Sequence, residues 1–296
     1  MRDYFVWLLK ILTVFVLILV VPIIMAGVMA GISDPSAKAP SGNTVAVIEL
    51  NGAIESSREV IDLLHAQVDN PKVKGIVLAI NSPGGAVGPS QDIYREVSRL
   101  KARKPIVAAM SSVAASGGLY AALGASKIYA QPGTITGSIG VILQIPNFTK
   151  VAETVGVKMV TIKSGALKDV GNSFRDMTDE EKVFLERTVK EAYDDFVRAV
   201  ATSRNLPRAK VAQFADGRII LGSTAKEIGL VDAHGSVYDA ARSVFELLGS
   251  PLGDEEEPKL FYAEDKFAEF RNLFGAIFTP LLRVSQPSMQ LRYVMN

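Results

Sequence analysis

The stretch MSSVAASGGLYAAL at residues 110–123 decides how the rest of the chain is read. A β-rich run, 106–110, passes into small residues and then into a helix-like run, with Ser116 at the bend. If residues 117–123 open a helix, the Ser116 hydroxyl lies at its N-terminus, where backbone N–H groups without acceptors favour developing negative charge. A nucleophile is useful there. A serine with no base beside it is nearly inert at neutral pH, so such a site also needs an activator and the donors of an oxyanion hole.

The 296-residue chain is 48% hydrophobic, enough for one substantial core with length left over for appendages. Its 32 basic and 31 acidic residues leave a formal net charge of +1 and are spread along the sequence, so nucleic acid is not an expected partner. There is no cysteine, which removes thiolate catalysis, thiolate metal ligation and disulfides. His65 and His234 are the only imidazoles. They are far apart and outside any HExxH pattern, so neither a metal nor another cofactor is expected.

At the N-terminus, residues 11–33 carry no charge and are long enough to cross a hydrocarbon core about 30 Å thick. Residues 1–33 are therefore expected to be a short cytoplasmic lead and one transmembrane helix that anchors the chain in membrane lipid. A cleaved signal peptide is the alternative, since Ala26, Gly27, Ala30 and Gly31 are small, but the apolar run is long for one. Arg2, Lys10 and the terminal amine precede the span, against Asp34 and Lys38 after it. That bias puts the N-terminus in the cytoplasm and the rest beyond the inner membrane, on the extracytoplasmic side. Residues 34–43, with Pro35 and Pro40, have the composition of a linker.

From residue 44 the pattern alternates. Strands are expected at 45–50, 75–80, 105–110 and 127–130, and helices at 57–69, 91–101 and 117–124. Strands separated by helices of this length imply right-handed crossovers and a mostly parallel sheet covered by helices, an α/β fold. Directly after the second strand comes NSPGG, residues 81–85, read as a tight turn whose unhindered N–H groups can face a substrate oxygen. Adjacent parallel strands would present this turn and the Ser116 bend at one sheet edge, where ligand sites of such sheets lie.

The activator is less marked. Neither histidine sits in anything like a catalytic turn. Lys168 follows a strand-like segment, 157–163, in the loop SGALKD at 164–169. A lysine titrates near 10.4 and must lose about 3 units to act near neutrality, which burial can supply. Spacing alone leaves Lys127, Lys158 and Lys163 open.

NSPGG at 81–85, AASGG at 114–118, PGTITGSIGV at 132–141 and KSGALKD at 163–169, in this order behind one apolar segment, resemble the signal peptide peptidase SppA family in its short, single-copy bacterial form. The match runs from about residue 45 to 249. The resemblance implies a ClpP/crotonase-like parallel β-α superhelix over residues 44–250 and a Ser-Lys dyad. Carried over by motif, Ser116 is the nucleophile, Lys168 the general base and Ser138 the residue that orients the lysine. Gly85 and Gly117 supply the oxyanion N–H groups. It further implies a homo-oligomeric ring, with the dyad completed across a subunit boundary, and peptide substrates, above all signal peptides left in the bilayer after preprotein cleavage. A same-fold protease of membrane-protein quality control and a catalytically silent oligomeric scaffold are the alternatives.

Residues 179–204 read as a long amphipathic helix, for packing between subunits or for covering the sheet. Residues 251–296 change character: a solvated linker at 251–258 with four acidic residues at 254–257, an apolar stripe through Phe267, Phe270, Phe274, Ile277 and Leu281, and a flexible tail at 288–296. By resemblance such a C-terminus can reach active sites, which raises self-processing or self-inhibition.

Overall fold

A computed structural model describes residues 2–32, 42–263 and 292–294. It divides into two compact units, Met1–Ala39 and Pro40–Asn296. The first holds helix α1 (Arg2–Ile32), with Pro22 inside it. Residues 4–16 are its longest stretch with described side chains, and among the described residues no helix is long and apolar enough to cross a membrane. The span expected at 11–33 is thus a property of the sequence that the structure does not itself carry. Most of the expected linker and all of the apolar stripe at 267–281 lie outside the described residues.

The second unit opens with β1 (Thr44–Asn51), α2 (Arg58–Asp69), β2 (Gly75–Ser82), β3 (Gly84–Ala86) and α3 (Val87–Leu100). It continues with β4 (Ile106–Ala114), α4 (Gly117–Ala122), β5 (Lys127–Ala130), β6 (Ile135–Gly137) and α5 (Thr149–Thr154). Then come α6 (Asp179–Arg204), α7 (Arg208–Ala212), β7 (Ile219–Leu221), α8 (Gly222–Glu227) and β8 (Ala233–His234). Helix α9 (Val237–Leu247) and strands β9 (Lys259–Tyr262) and β10 (Arg292–Val294) complete it.

Eight strands form one sheet in the order β7-β6-β4-β2-β1-β9, with β5 beside β4 and β8 beside β5. The central pairs β1–β2, β2–β4 and β4–β5 are parallel, because α2 and α3 carry the chain back over the sheet between strands. Only β6–β7 runs antiparallel within it. This is the mostly parallel α/β architecture that the alternation implies. Val45, Val47, Val77, Ala79, Val107 and Ala109 share one face and bury against Ala240, Ala241, Val244 and Phe245 of α9. Gly75 marks how close that helix comes: a Cβ there would lie 2.4 Å from a Val244 methyl and 2.9 Å from the Pro105 carbonyl oxygen.

Three local expectations are corrected. The last two residues of the NSPGG turn, with Ala86, form strand β3, because β10 supplies a partner antiparallel to it. Residues 292–294 are accordingly ordered strand where a flexible tail was expected. Residues 157–163 form no strand; Val160 and Ile162 are 78% and 97% exposed, with no strand alongside among the described residues.

Beyond that exposed segment the chain is pinned to α6. Thr178 and Glu181 form a reciprocal capping box at the helix start. Arg175 donates to the buried Glu181 carboxylate and, at 3.0 Å, to Asp169, the neighbour of Lys168. Arg175 and then the Thr178 amide hold the Glu181 carboxyl at about 2 against an ordinary 4.5. A depressed carboxylate stabilises fully above its unfolded value and loses that contribution as pH falls through its folded one. Stability should therefore drop between pH 4.5 and about 2. Glu181→Gln should flatten that limb and cost on the order of 1–3 kcal/mol at neutral pH, measured by denaturant unfolding. Gly75→Ala should cost about 1–3 kcal/mol in the same assay, from overpacking against α9.

Candidate active site

The parallel pairing of β2 with β4 builds the site. Register runs from Ile76↔Ile106 to Ile80↔Met110 and then jumps to Ser82↔Ala114, so β4 gains two residues on β2 at its carboxyl end. The Ala115 amide bonds the Ser82 carbonyl at 3.1 Å, and the next residue is Ser116. Its amide donates to the Gly137 carbonyl at 2.9 Å, and its own carbonyl accepts the Tyr120 amide in the first turn of α4. Held on both sides, Ser116 sits at φ 52°, ψ −115°, a conformation costing a non-glycine residue about 1–3 kcal/mol. It is fully buried, and its Oγ has no hydrogen-bond partner among the described residues.

The glycines of both motifs meet next to this hydroxyl. A Cβ on Gly84 would lie 2.7 Å from the Gly117 nitrogen, and one on Gly117 would lie 3.1 Å from the Gly85 nitrogen. The Gly85 and Gly117 amides therefore sit side by side, and Gly117, first residue of α4, has no acceptor within the helix. Gly84 has φ +103°. Its turn is fixed by Ser82, whose Oγ accepts the Gly84 amide at 3.1 Å and donates to the Gly52 carbonyl at 2.6 Å.

Strand β10 runs through the same place. The Arg292 amide and carbonyl are both spent on Ile142, at 3.2 and 3.1 Å, so those of Tyr293 face the other way, toward β3. On β3 the Gly84 carbonyl and Ala86 amide are spent on Ile54, so those of Gly85 face β10. Tyr293 and Gly85 are register partners. In an antiparallel ladder this makes them a bonded pair, with the Tyr293 carbonyl on the Gly85 amide. A Cβ on Gly84 would be only 2.0 Å from that carbonyl oxygen. The Tyr293 ring is fully buried, stacked on Tyr120 at 5.1 Å between centroids and tilted against Phe196 at 4.8 Å.

Ser138 follows the Gly137 that anchors Ser116. It too has positive φ, 49°, its amide donates to the Arg218 carbonyl at 2.8 Å, and its side chain is buried with no hydrogen bond among the described residues. Lys168 stands apart: its side chain is exposed and makes no hydrogen bond or ion pair among the described residues. Within one chain it does not reach Ser116. Of the other lysines, Lys163 bonds the Ala166 carbonyl and Asp169, and Lys127 bonds Glu246, which raises its pKa and favours its charged form. His65 pairs with Glu96 at 2.7 Å and His234 contacts the Ala130 carbonyl. Among the described residues no three His, Asp or Glu come together as a metal site requires.

Ser116, Gly85 and Gly117 thus come together, Ser138 follows the residue that bonds the Ser116 amide, and the Lys168 side chain makes no hydrogen bond to them. Tyr293, Ile142 and the aromatic cage were missed. The only signal was the short Arg-Tyr-Val run near the chain end, too brief to read as a strand.

Residues 98–249 match peptidase family S49, and residues 44–135 match the Clp protease family. The Synechocystis protein slr0021, provisionally named a protease, is 39% identical over 80% of this chain and 85% of its own length. An Enterococcus faecium protein provisionally named signal peptide peptidase SppA is 42% identical over 60% of this chain and 52% of its own. Protease 4 of Salmonella typhi is 34% identical over 72% of this chain and 36% of its own. With a buried serine at a helix N-terminus, paired glycine amides and relatives of this closeness, the chain belongs to peptidase family S49 and is a serine-type hydrolase of peptides.

Proposed function

We propose that this chain is a membrane-anchored endopeptidase in which Ser116 and Lys168 form the dyad, acting on remnant signal peptides and other hydrophobic peptides. The observation that carries the reading is the buried, partnerless Ser116 hydroxyl beside the Gly85 and Gly117 amides, with the carbonyl of an extended peptide already against them. Ser116 Oγ attacks the substrate carbonyl carbon and its proton passes to the neutral amine of Lys168. The Gly85 and Gly117 amides hold the oxyanion, each worth about 3 kcal/mol in the transition state. Collapse breaks the C–N bond, Lys168 returns the proton to the leaving amine, and water then hydrolyses the acyl-serine by the same route. Ser138 positions Lys168.

The Lys168 that completes this centre comes from a neighbouring copy of the chain. Among the described residues the Ser116 hydroxyl has no partner and Lys168 lies in solvent a few residues after exposed Val160 and Ile162, a surface that a second copy would cover. We take residues 44–250 as the peptidase domain. An open cleft of about 690 Å³ lined by Leu143, Ile145, Leu185 and Val189 lies beyond Ile142 and suits apolar side chains. The uncharged run at 11–33 is the basis for the anchor and for an extracytoplasmic site at the inner membrane. Homology to a protein named signal peptide peptidase supports the substrate class.

β10 occupies the substrate strand position, so the C-terminus acts as a self-inhibitor. Ser116→Ala and Lys168→Ala should each lower cleavage of a synthetic signal peptide by at least about 10³-fold. Mixed and co-assembled, the two variants should regain a fraction of wild-type activity, because some interfaces then pair an intact serine with an intact lysine. Recovery at zero would place the dyad within one chain, full activity in Ser116→Ala would exclude Ser116 as nucleophile, and a wild type that assembles but never cleaves would favour the scaffold. Deleting residues 292–296 should raise kcat/KM severalfold by removing a tethered competitor; an unchanged rate would remove self-inhibition.

A further inference from the structure

The loop that carries Lys168 is clamped on both sides of the lysine, while the lysine itself is left alone. Lys163 Nζ donates to the Ala166 carbonyl at 2.8 Å, just before Lys168, and to Asp169 Oδ1, just after it. Arg175 donates from Nε to Asp169 Oδ2 at 3.0 Å and from Nη2 to the Asp169 carbonyl at 3.3 Å. Its Nη1 and Nη2 also reach the Glu181 carboxylate, and Nη1 the Asp176 carbonyl. Every guanidinium nitrogen is thus spent between the loop and the first turn of α6. That helix is fixed in turn by Phe196 and Val200, both fully buried. Both Asp169 oxygens are taken and its side chain is only 11% exposed. Arg175 and then Lys163 hold the Asp169 carboxyl well below the ordinary carboxylate range.

We infer that Arg175 and Lys163 are positioning residues for Lys168: they fix the main chain on either side of it and cancel the carboxylate next to it, so that its amine meets Ser116 at a set place and without a counterion. The inference rests on the dyad reading above and names what holds its base. A loop ordered around a side chain that its own chain leaves in solvent is preorganised for an encounter, which removes an ordering cost from the reaction. Charge matters as much. A carboxylate beside an amine favours its charged form, and a base has to be neutral. Asp169 is such a carboxylate, and the two cations balance Asp169 and Glu181 one for one. The other charges on these elements, Lys158, Asp176, Asp179, Glu180 and Lys182, are exposed, where solvent screens them. On the serine side Arg218, whose carbonyl bonds Ser138, is paired with Asp216 at 2.6 Å. Arginine rather than lysine at 175 follows from the planar fork that gripping two carboxylates requires.

The test follows hydrolysis of an internally quenched synthetic signal peptide by full-length chain in detergent, with kcat and KM measured across about pH 6–10. Lys163→Met leaves Glu181 and its helix cap untouched, so it reports on Asp169 without loosening α6. It should move the rise of kcat/KM with pH about one unit upward, because the freed carboxylate keeps Lys168 charged for longer. Its kcat should fall severalfold with KM within about twofold of wild type. Arg175→Met should shift the rise in the same direction and lower kcat on the order of 100-fold. Arg175→Lys keeps the charge without the fork, so the rise should return to its wild-type pH while kcat stays about 10-fold low. Asp169→Asn added to Lys163→Met should likewise restore the rise. A rate that falls with the rise unmoved overturns the inference, because loss of folded or assembled chain changes the amplitude alone. Lys168→Ala in the same assay separates the two claims. If it is inactive while the Lys163 and Arg175 variants match wild type, the dyad stands and the clamp falls; if it still cleaves, the dyad falls and the clamp with it.

Discussion

Everything at this site depends on the alignment of β2 with β4. The two strands run in register for five residues from Ile76↔Ile106, and β4 then gains two residues before Ala114 meets Ser82. That slip lets one strand turn into β3 while the other delivers Ser116 to the head of α4. The hydrogen bond from the Ala115 amide to the Ser82 carbonyl ties the two exits together. Gly117 can then approach the Gly84–Gly85 turn as closely as it does only because neither Gly84 nor Gly117 has a side chain. The strain at Ser116 is held by the Gly137 carbonyl on one side and the Tyr120 amide on the other.

What was legible in the sequence was what local pattern determines. The buried parallel strands around Val45, Val77 and Val107 show as short apolar runs, and the helices between them as amphipathic ones, because burial on known faces leaves a period in the sequence. Ser116 and the NSPGG turn were singled out where strands give way to turns, and Ser138 by the family resemblance alone. Elements whose state depends on a remote partner were not legible. Gly84 and Gly85 read as a turn because β10, which makes them a strand, lies some two hundred residues away. Residues 157–163 have strand composition but no partner within the described chain. The Arg175 bridge from Asp169 to Glu181 joins residues that read separately as a loop and a helix start.

The two sides of the site are built to different degrees of rigidity. The serine side is buried sheet edge, with the Ser116 amide and carbonyl both bonded. The lysine side is a loop held by ion pairs to the first turn of α6, with its apolar approach in solvent. On the proposed reading, a centre so divided would be inert until its second half was delivered, and Ser116 chemistry would be withheld from a chain without a neighbour.

The β10 strand is held by main-chain bonds to Ile142 on one side and β3 on the other. Such a slot recognises a conformation before it recognises a residue. Any peptide that displaces β10 has to present free amides and carbonyls on both edges at once, and a helix has none to spare because it has already bonded them to itself. Entry is therefore a demand for local unwinding. If peptides bind there as proposed, segments at chain ends or already pulled straight would meet that demand without cost, whereas a helix would first have to unwind.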